Sequence, residues 1–449
     1  MDRRQFNQKL FKLTMLSSIV YMESACAMSS RPSSQTSQQL SVKQFGAIGD
    51  GNTDDSKAVQ AAFDRAATKK RSLFFPAGTY LLSGIDIKGV SFFGDQACIM
   101  SNQDTKYSGL MYDKSTNPIE ISDIVFDGST TVEVNKKHQV ALRFTNNQQV
   151  ELNNIDAHNF KNNVAIFEQE TRHNIVRGGV IKDCQSNNIF VFKGYYNQIY
   201  GVTFSHCKEH VIRFGRFNSD KDKASGRYNI VDACVFEQVG NDAILYELNS
   251  GKGIVRGCIG HYIRSLVKAE TSSEAELPKQ KSRDIHVLNN YIDQAIEEKS
   301  ACIKLNGAKN CMVANNTVIG FYEGISAGSA SIIADNIIRD TAHKAIRCNG
   351  EHMIVKSNQI IGTSYGISVN REKFDHTTIM DNHLQHCQKY AISLASSHNL
   401  IKDNIITNSK VAIKLTKKAE NNKVFNNTGT DNDINLKKGH TSNTFTDNF

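Results

Sequence analysis

The sequence predicts an all-β chain, folded as a single-stranded right-handed parallel β-helix of about twelve coils with a short N-terminal capping helix. Two observations predict this class. Apolar and polar residues alternate over short segments, and an aliphatic segment ending in asparagine recurs along the chain. The recurring asparagines, spaced by 20 to 26 residues, are Asn290, Asn316, Asn336, Asn358, Asn382, Asn404 and Asn427.

Segments this short cannot bury an apolar face alone, so each repeat is interpreted as one coil that packs on its neighbours. The alternatives are a β-sandwich and a propeller. A propeller blade takes about 40 to 50 residues, roughly twice the observed interval, which favours the β-helix. Asparagine at a fixed turn position can adopt a left-handed conformation and bond to the same residue one coil away.

The N-terminal cap is predicted from residues 45–66, FGAIGDGNTDDSKAVQAAFDRA. This segment indicates a glycine-rich turn and then an amphipathic helix from about Asp55 to Ala67. Asp54 or Asp55 can cap the helix, and we expect the acidic cluster with Asp50 to stabilise the turn rather than bind calcium. Such a helix covers the open end of the solenoid, which otherwise exposes apolar core.

The first residues are typical of an export signal. Arg3 and Arg4 precede an apolar stretch and a small-residue site at Ala25-Cys26-Ala27, the order found in twin-arginine signals. We therefore expect a periplasmic or extracellular protein with no transmembrane segment, since no later apolar run is long enough. The predicted segments are an export signal (1–27), a linker (28–40), a cap helix with the first coils (41–100), the β-helix (101–435) and a C-terminal tail (436–449).

The net charge restricts the classes of binding partner, and the pattern of cysteines bears on disulfide bonds. The net charge of +8 is a mild basic excess, compatible with an anionic ligand, and no basic run with interleaved aromatics indicates nucleic acid. Of the ten cysteines, Cys26 falls in the export signal and the remaining nine form no CxxC pair. We interpret these nine as buried thiols that pack as small apolar residues.

The segment 45–66, followed by LFFPAGTYLL, resembles the N-terminal signature of the pectate-lyase-like superfamily. That group contains rhamnogalacturonases, polygalacturonase relatives, phage tailspikes and uronan epimerases. The resemblance implies a pectin-lyase-like solenoid that acts on polysaccharide. It leaves the reaction open, because one fold hosts several chemistries.

Two outward ribbons of side chains are expected where the strands stack. The central position of the A-I-x-aliphatic motif carries Arg213, Lys268, Lys304 and Arg347, and the position two residues later carries Glu247, Glu270, Asn306 and Asn349. Two insertions, residues 217–227 and 271–283, follow the Arg213 and Lys268 strands, and long loops on a rigid scaffold commonly line binding sites. These features predict a groove for an acidic polysaccharide.

Three functions remain open from the residues. In β-elimination at a uronate, Lys268 is the candidate base, Lys304 or Arg213 binds the carboxylate or stabilises the enolate, and Glu247 and Glu270 position the lysine or hold Ca²⁺. No other cofactor is predicted. Arg347, Asn306, Asn349, Asp242 and His261 are the candidate substrate-binding residues. SLVKAE followed by ACIKLNG is similar to the alginate and chondroitin lyases of this fold, although Lys304 stands where those have arginine.

A glycoside hydrolase is the second function, and it needs two carboxyl groups that flank the scissile bond. GNDAI with Asp242 and GH at 260 and 261 resemble parts of the polygalacturonase pattern. A non-catalytic polysaccharide-binding or surface-assembly protein is the third function. A monomer and a homotrimer are both compatible with the sequence, since tailspike relatives form trimers.

Overall fold

The computed structural model describes residues 39–169, 171–192, 194–215, 226–247, 250–269 and 282–449. The predicted export signal, residues 28–38 of the linker, Glu270 and most of both insertions lie outside these ranges. Leu40–Phe449 form one compact unit. Within the described ranges, no helix has the length and apolarity needed to cross a membrane.

Parallel strands stack coil on coil into three sheets, which we name A, B and C. The strands of sheet A are Ile85–Asp86, Gly109–Asp113, Val140–Thr145, Ala165–Glu168, Ile189–Phe192, Ile212–Gly215, Ala301–Leu305, Glu323–Ala327, Lys344–Cys348, Val411–Leu415 and Ile434–Lys437. The strands of sheet B, which follows A in each coil, are Leu40–Ser41, Leu73–Phe75, Val150–Asn153, Ile175–Arg177, Gln198–Tyr200, Ile230–Asp232, Ile254–Arg256, His286–Leu288, Met312–Ala314, Ile332–Ala334, Ile354–Lys356, Thr378–Met380, Leu400–Lys402, Lys423–Phe425 and Thr444–Thr446.

The third face, sheet C, leads back into sheet A. Its strands are Asp50–Asp54, Gly78–Leu82, Asp156–His158, Val180–Lys182, Thr203–Cys207, Tyr291–Ala295, Thr317–Ile319, Ile337–Arg339, Ile405–Thr407 and Thr428–Thr430. Long strands bend between faces: Phe92–Ser101 and Ile119–Asp127 run from B into C, whereas Val235–Tyr246, Ile259–Ala269, Gln359–Val369 and His383–Leu394 run from C into A. Glu133–Val134 and Lys137–His138 form a separate antiparallel hairpin.

This architecture confirms the predicted β-helix. Each face pairs in parallel with the same face of the next coil, and the inward side chains merge into one apolar core along the solenoid. Pairing continues past residue 435, because Thr444–Thr446 still pairs with Lys423–Phe425.

The N-terminal helix covers the core as expected. It runs over Ser56–Lys69, after a 3-10 turn at Val42–Phe45, and it buries one apolar stripe, formed by Val59, Ala62, Phe63 and Ala66, as the amphipathic pattern predicts. The ring of Phe63 packs edge-on against Phe92 at 5.4 Å, so the helix contacts the first coils directly.

The acidic cluster before this helix stabilises the turn, although Asp55 does not cap the helix with its side chain. The Asp55 carboxylate accepts hydrogen bonds from the backbone N–H groups of Ile48 (2.6 Å) and Gly49 (2.9 Å). Asp54 instead accepts from the N–H of Ser56 at 2.9 Å. Asp50 accepts from the N–H groups two and three residues later, which lowers the pKa of its carboxyl.

A ladder of buried asparagine amides fixes the register of the coils. In Asn358, the side-chain Nδ2 donates to Oδ1 of Asn382 at 2.9 Å, and its Oδ1 accepts from the backbone N–H of Asn336 at 3.0 Å. The same pattern continues from Asn290 to Asn448. The ladder residues are not left-handed themselves, contrary to our expectation. The residue before each one has a positive φ, as Ser357 does at 54°.

The cysteines of the described residues are all free, and Cys98 alone among them is partly exposed. Burial raises the pKa of the Cys207 thiol to about 11 and that of Cys234 to about 12. The prediction of buried thiols is confirmed for the eight described cysteines other than Cys98.

We expect Asn358→Ala to lower the free energy of unfolding by about 3 kcal/mol, because several buried backbone and amide partners lose their hydrogen bonds. Urea unfolding followed by circular dichroism measures this change. The matched control is Lys417→Ala, at an exposed turn position, where we expect a change below about 0.5 kcal/mol. Equal effects of the two substitutions would contradict a stabilising ladder.

Candidate functional site

The predicted cationic ribbon lies in register on sheet A. Arg213 pairs with Leu245, Leu245 with Lys268 and Lys268 with Lys304. The same column then continues through Ser326 to Arg347. We call it the central column. Leu245 and Ser326 are buried, so covered positions separate Arg213 from Lys268 and Lys304 from Arg347, whereas Lys268 and Lys304 lie on adjacent coils.

The second predicted ribbon is only partly described, because Glu270 lies outside the described residues. Glu247 is 8% exposed and forms an ion pair with Arg213. Its carboxylate lies so close to the backbone at Gly215 that a Cβ there would overlap it. Farther along the solenoid, Nδ2 of Asn349 donates to Oδ1 of Asn306 at 3.1 Å, so these two candidate residues do meet.

A third column of polar side chains, which the sequence pattern did not indicate, runs beside the central column. It lies three residues earlier in each coil, and we call it the flanking column. Its members are His210, Asp242, Ser265, Ala301, Glu323, Lys344, Tyr365 and Tyr390.

A bend between sheets C and A turns the flanking column away from the apolar core, although Asp242, Ser265 and Lys344 stay mostly covered. Strict alternation would turn a residue three positions before an outward residue into the core. The register instead shifts between Val239 and Asp242, and again between Thr363 and Tyr365. Small buried residues occupy the bend. At Gly324, for example, a Cβ would lie 2.6 Å from the carbonyl oxygen of Ala345, so the tight approach needs glycine.

Asp242 is the centre of a polar cluster on this face. Its side chain is 4% exposed, and its Oδ1 accepts a hydrogen bond from the Ser265 hydroxyl at 2.5 Å. Its Oδ2 lies 3.3 Å from both Lys268 Nζ and His210 Nδ1. Within the described residues, neither Oδ2 nor His210 Nδ1 has a partner with hydrogen-bond geometry. We call His210, Asp242, Ser265 and Lys268 the Asp242 cluster.

His210 is mostly buried, with a side chain 15% exposed. Burial lowers the pKa of this imidazole below 6.5, although the Asp242 carboxylate opposes the shift, and Lys268 adds to it. The imidazole is therefore neutral at pH 7, the state that can accept a proton.

Lys268 contacts an acidic residue as well as following other cations in the predicted ribbon. Its nearest ion-pair partner is the buried carboxylate of Asp242, a contact hidden from the sequence because the bend was not predicted. Lys304, one coil on, is exposed and has no hydrogen-bond or ion-pair partner among the described residues.

A second cluster repeats this arrangement farther along. Glu323, also in the flanking column, lies 3.4 Å from both His343 Nδ1 and Arg347 NH1. Burial lowers the pKa of His343, and burial followed by the Arg347 charge lowers the pKa of Lys344. The predicted residue Arg347 is thus joined by three that sequence reasoning missed.

His261 is separate from both clusters. It lies on sheet C, where it pairs in register with Glu237 and Asp293, and its Nδ1 lies 2.5 Å from Asp293 Oδ1. The strand bends between His261 and Lys268, so the two residues occupy different faces. Our grouping of His261 with the groove residues was therefore wrong.

Metal ligands are not assembled within the described ranges, where no group of three or more His, Cys, Asp or Glu side chains converges. Calcium at Glu247 and Glu270 stays a prediction. Since Arg213 occupies the Glu247 carboxylate, a cation there would have to displace the guanidinium.

Two family models match parts of the chain. The model described as rhamnogalacturonase A/epimerase, pectate lyase-like, matches residues 39–102, and the one described as periplasmic copper-binding protein (NosD) matches residues 279–449. The first match confirms the resemblance found at the N-terminus.

Curated relatives match short segments. The chain is 31% identical to mannuronan C5-epimerase AlgE2 of Azotobacter vinelandii over 106 residues, which cover 20% of this chain and 11% of that protein. It is 31% identical to alginate lyase 7 of the same organism over 109 residues, covering 20% and 13%. The chain therefore spans a small part of the length of these relatives.

Among solved structures, a mutant tailspike protein of E. coli bacteriophage HK620, in complex with a pentasaccharide, aligns with a TM-score of 0.56 at 12% identity. The alignment covers 91% of this chain and 78% of that one, which supports the fold alone.

We expect the His210→Asn variant to lose less stability than the parent protein as the pH falls below neutrality. The unfolded chain protonates this imidazole near pH 6.5, whereas the folded protein does so only at lower pH. Stability therefore falls as pH drops below about 6.5, and removing the imidazole removes that part of the slope. Urea unfolding at a series of pH values measures it.

The control is Ser265→Ala, which removes a contact to the same carboxylate without removing a titrating group. It should lower stability by a similar amount at every pH. An unchanged acid slope in His210→Asn would assign the acid sensitivity to other groups.

The family-model match over residues 39–102 and the coil register support the resemblance to the pectate-lyase-like superfamily, on a right-handed parallel β-helix fold.

Proposed function

We propose that this protein is an exported enzyme that acts on an acidic polysaccharide, by removing the proton at C5 of a uronate residue. β-Elimination is the outcome we expect, in which the electron pair left at C5 expels the O4 substituent of the same sugar. The observation that carries this proposal is the Asp242 cluster, where a neutral buried imidazole and an ammonium share one carboxylate on a face lined with cations.

The contacts of Lys268 favour a division of roles that differs from the sequence-based one. A general base needs a lone pair, and Lys268 is engaged as the cation of an ion pair with Asp242. His210 has the lone pair, and Asp242 lies beside its Nδ1. We therefore propose His210 as the base and Lys268 as the group that stabilises the enolate.

Neighbouring cations complete the proposed site. Lys304 is exposed one coil from Lys268, and Arg213 lies two coils away in the other direction. Either cation can neutralise the uronate carboxylate. This neutralisation lowers the free-energy cost of the negative charge that develops when the C5 proton is removed. Asn306, Asn349 and Arg347 extend the groove toward the C-terminal coils and are proposed to bind further sugars.

Hydrolysis by Asp242 and Glu247 is less well supported by the geometry. Asp242 lies in the strand Val235–Tyr246 and Glu247 directly follows it, so an extended chain separates their Cα atoms by about 16 Å. Inverting glycosidases place their carboxyl groups at most about 9.5 Å apart, and retaining enzymes closer still. Both carboxylates are also paired with cations.

The comparisons support the substrate class and the compartment. The names of two matched relatives refer to mannuronan and alginate, and one matched family is described as periplasmic. We propose an acidic polysaccharide as substrate, with the protein either monomeric or trimeric.

Incubation with a panel of uronans tests the proposal. We expect a rise in ultraviolet absorbance from the unsaturated product, and a loss of about 100-fold or more in turnover for Lys268→Met and for His210→Gln. Lys356→Met, a lysine on sheet B, is the matched control and should keep full activity. Adding a chelator to the assay tests the calcium prediction, because a metal-dependent reaction would then stop.

Other outcomes would overturn the proposal in distinguishable ways. Reducing ends without absorbance indicate hydrolysis, and inversion at C5 without cleavage, seen by proton NMR, indicates epimerisation. Binding without any turnover indicates the non-catalytic function. Wild-type rates in both cluster variants would remove the Asp242 cluster from the mechanism.

A further inference from the structure

The C-terminal part of sheet A changes character beyond Arg347. The central column continues with Ser368 and Ser393, which are small, while the flanking column continues with Tyr365 and Tyr390. Ser368 and Ser393 have short side chains. In the structure, these two serines lie beside the two tyrosines, which we call the aromatic wall.

The two tyrosines form a continuous wall. They pair in register on adjacent coils, with ring centroids 5.6 Å apart and planes tilted by 53°. Both side chains are partly exposed. Tyrosine presents an apolar ring surface together with a polar hydroxyl, a combination suited to the apolar faces and hydroxyl groups of a sugar.

Lysines surround this wall. The Nζ of Lys414 lies 4.2 Å from the ring centroid of Tyr390 and 3.1 Å from its hydroxyl oxygen. That bond, together with the charges of Lys437 and Lys389, lowers the pKa of the Tyr390 hydroxyl. Lys389 lies 5.1 Å from the ring of Tyr365. The site thus joins aromatic surface to a local excess of positive charge.

We infer that Tyr365, Tyr390, Lys389 and Lys414 form a distal subsite for an anionic sugar, which holds the far part of the chain whose reacting sugar lies at Lys268. This inference rests on the proposed function of the groove. Ser393 is five coils from Lys268 in the central column, which corresponds to about 24 Å. An extended uronan rises by about one strand spacing per sugar, so about five sugars separate the two sites.

Binding of oligouronides of increasing length tests the inference. Calorimetry with the His210→Gln variant, from disaccharide to octasaccharide, avoids degradation of the ligand. We expect affinity to rise sharply once the oligomer is long enough to reach Tyr390. We expect Tyr390→Ala to lower affinity about fivefold to tenfold for long oligomers only, and Lys414→Gln to weaken the dependence on salt.

Tyr291→Ala is the control, because Tyr291 is an exposed tyrosine on a different face, sheet C. It should bind every oligomer as the parent does. Equal affinity for short and long oligomers, or long-oligomer binding that survives Tyr390→Ala, would overturn the subsite. Length-dependent binding that needs Tyr390, in a protein without turnover on any uronan, would support the subsite and reject the proposed reaction instead.

Discussion

Hydrogen bonds between buried asparagine amides on successive coils are the interaction on which the rest of the structure depends. Each ladder amide bonds to the next coil through its side chain and accepts from the backbone of the previous one. A buried amide without its partners is costly, so coils that slip by one residue are strongly disfavoured. Along the coils from Asn290 onward, the positions of the outward side chains on sheet A follow from this register.

Much of the fold could be predicted from the sequence, because its causes are local and repeat. Alternation places Lys268 and Lys304 outward, and the spacing of Asn316, Asn336 and Asn358 gives the length of a coil. The cap helix was likewise predictable from its apolar stripe. These features need only the nearest neighbours along the chain or one coil away.

The flanking column could not be predicted in the same way. His210 and Asp242 face away from the apolar core because the chain bends there and departs from regular alternation. Strict alternation of inward and outward residues along the strand would place the Asp242 side chain in the core. The bend depends on small buried residues such as Ala243 and Gly324 packing against neighbouring coils, and isolated small residues carry little signal in one sequence. His261 was misassigned for the same reason, since the strand turns a corner after it.

The charges of this face are interleaved instead of uniformly basic. Asp242 binds a cation of the next coil and contacts an imidazole, and Glu323 does the same three coils later. A polyanion that enters the groove would therefore compete with carboxylates of the protein for the same cations. Such exchange lets the face hold many cations without the self-repulsion of a bare basic stripe.

The asparagine ladder also limits how such a solenoid can evolve in length. Losing one residue within a strand would turn the groove side chains beyond it toward the core and misalign the amides. Losing or duplicating a complete coil would preserve both the direction of the groove side chains and the alignment of the asparagine amides. We therefore expect relatives to lengthen or shorten their grooves in steps of complete rungs, with each added rung offering one more position for a sugar.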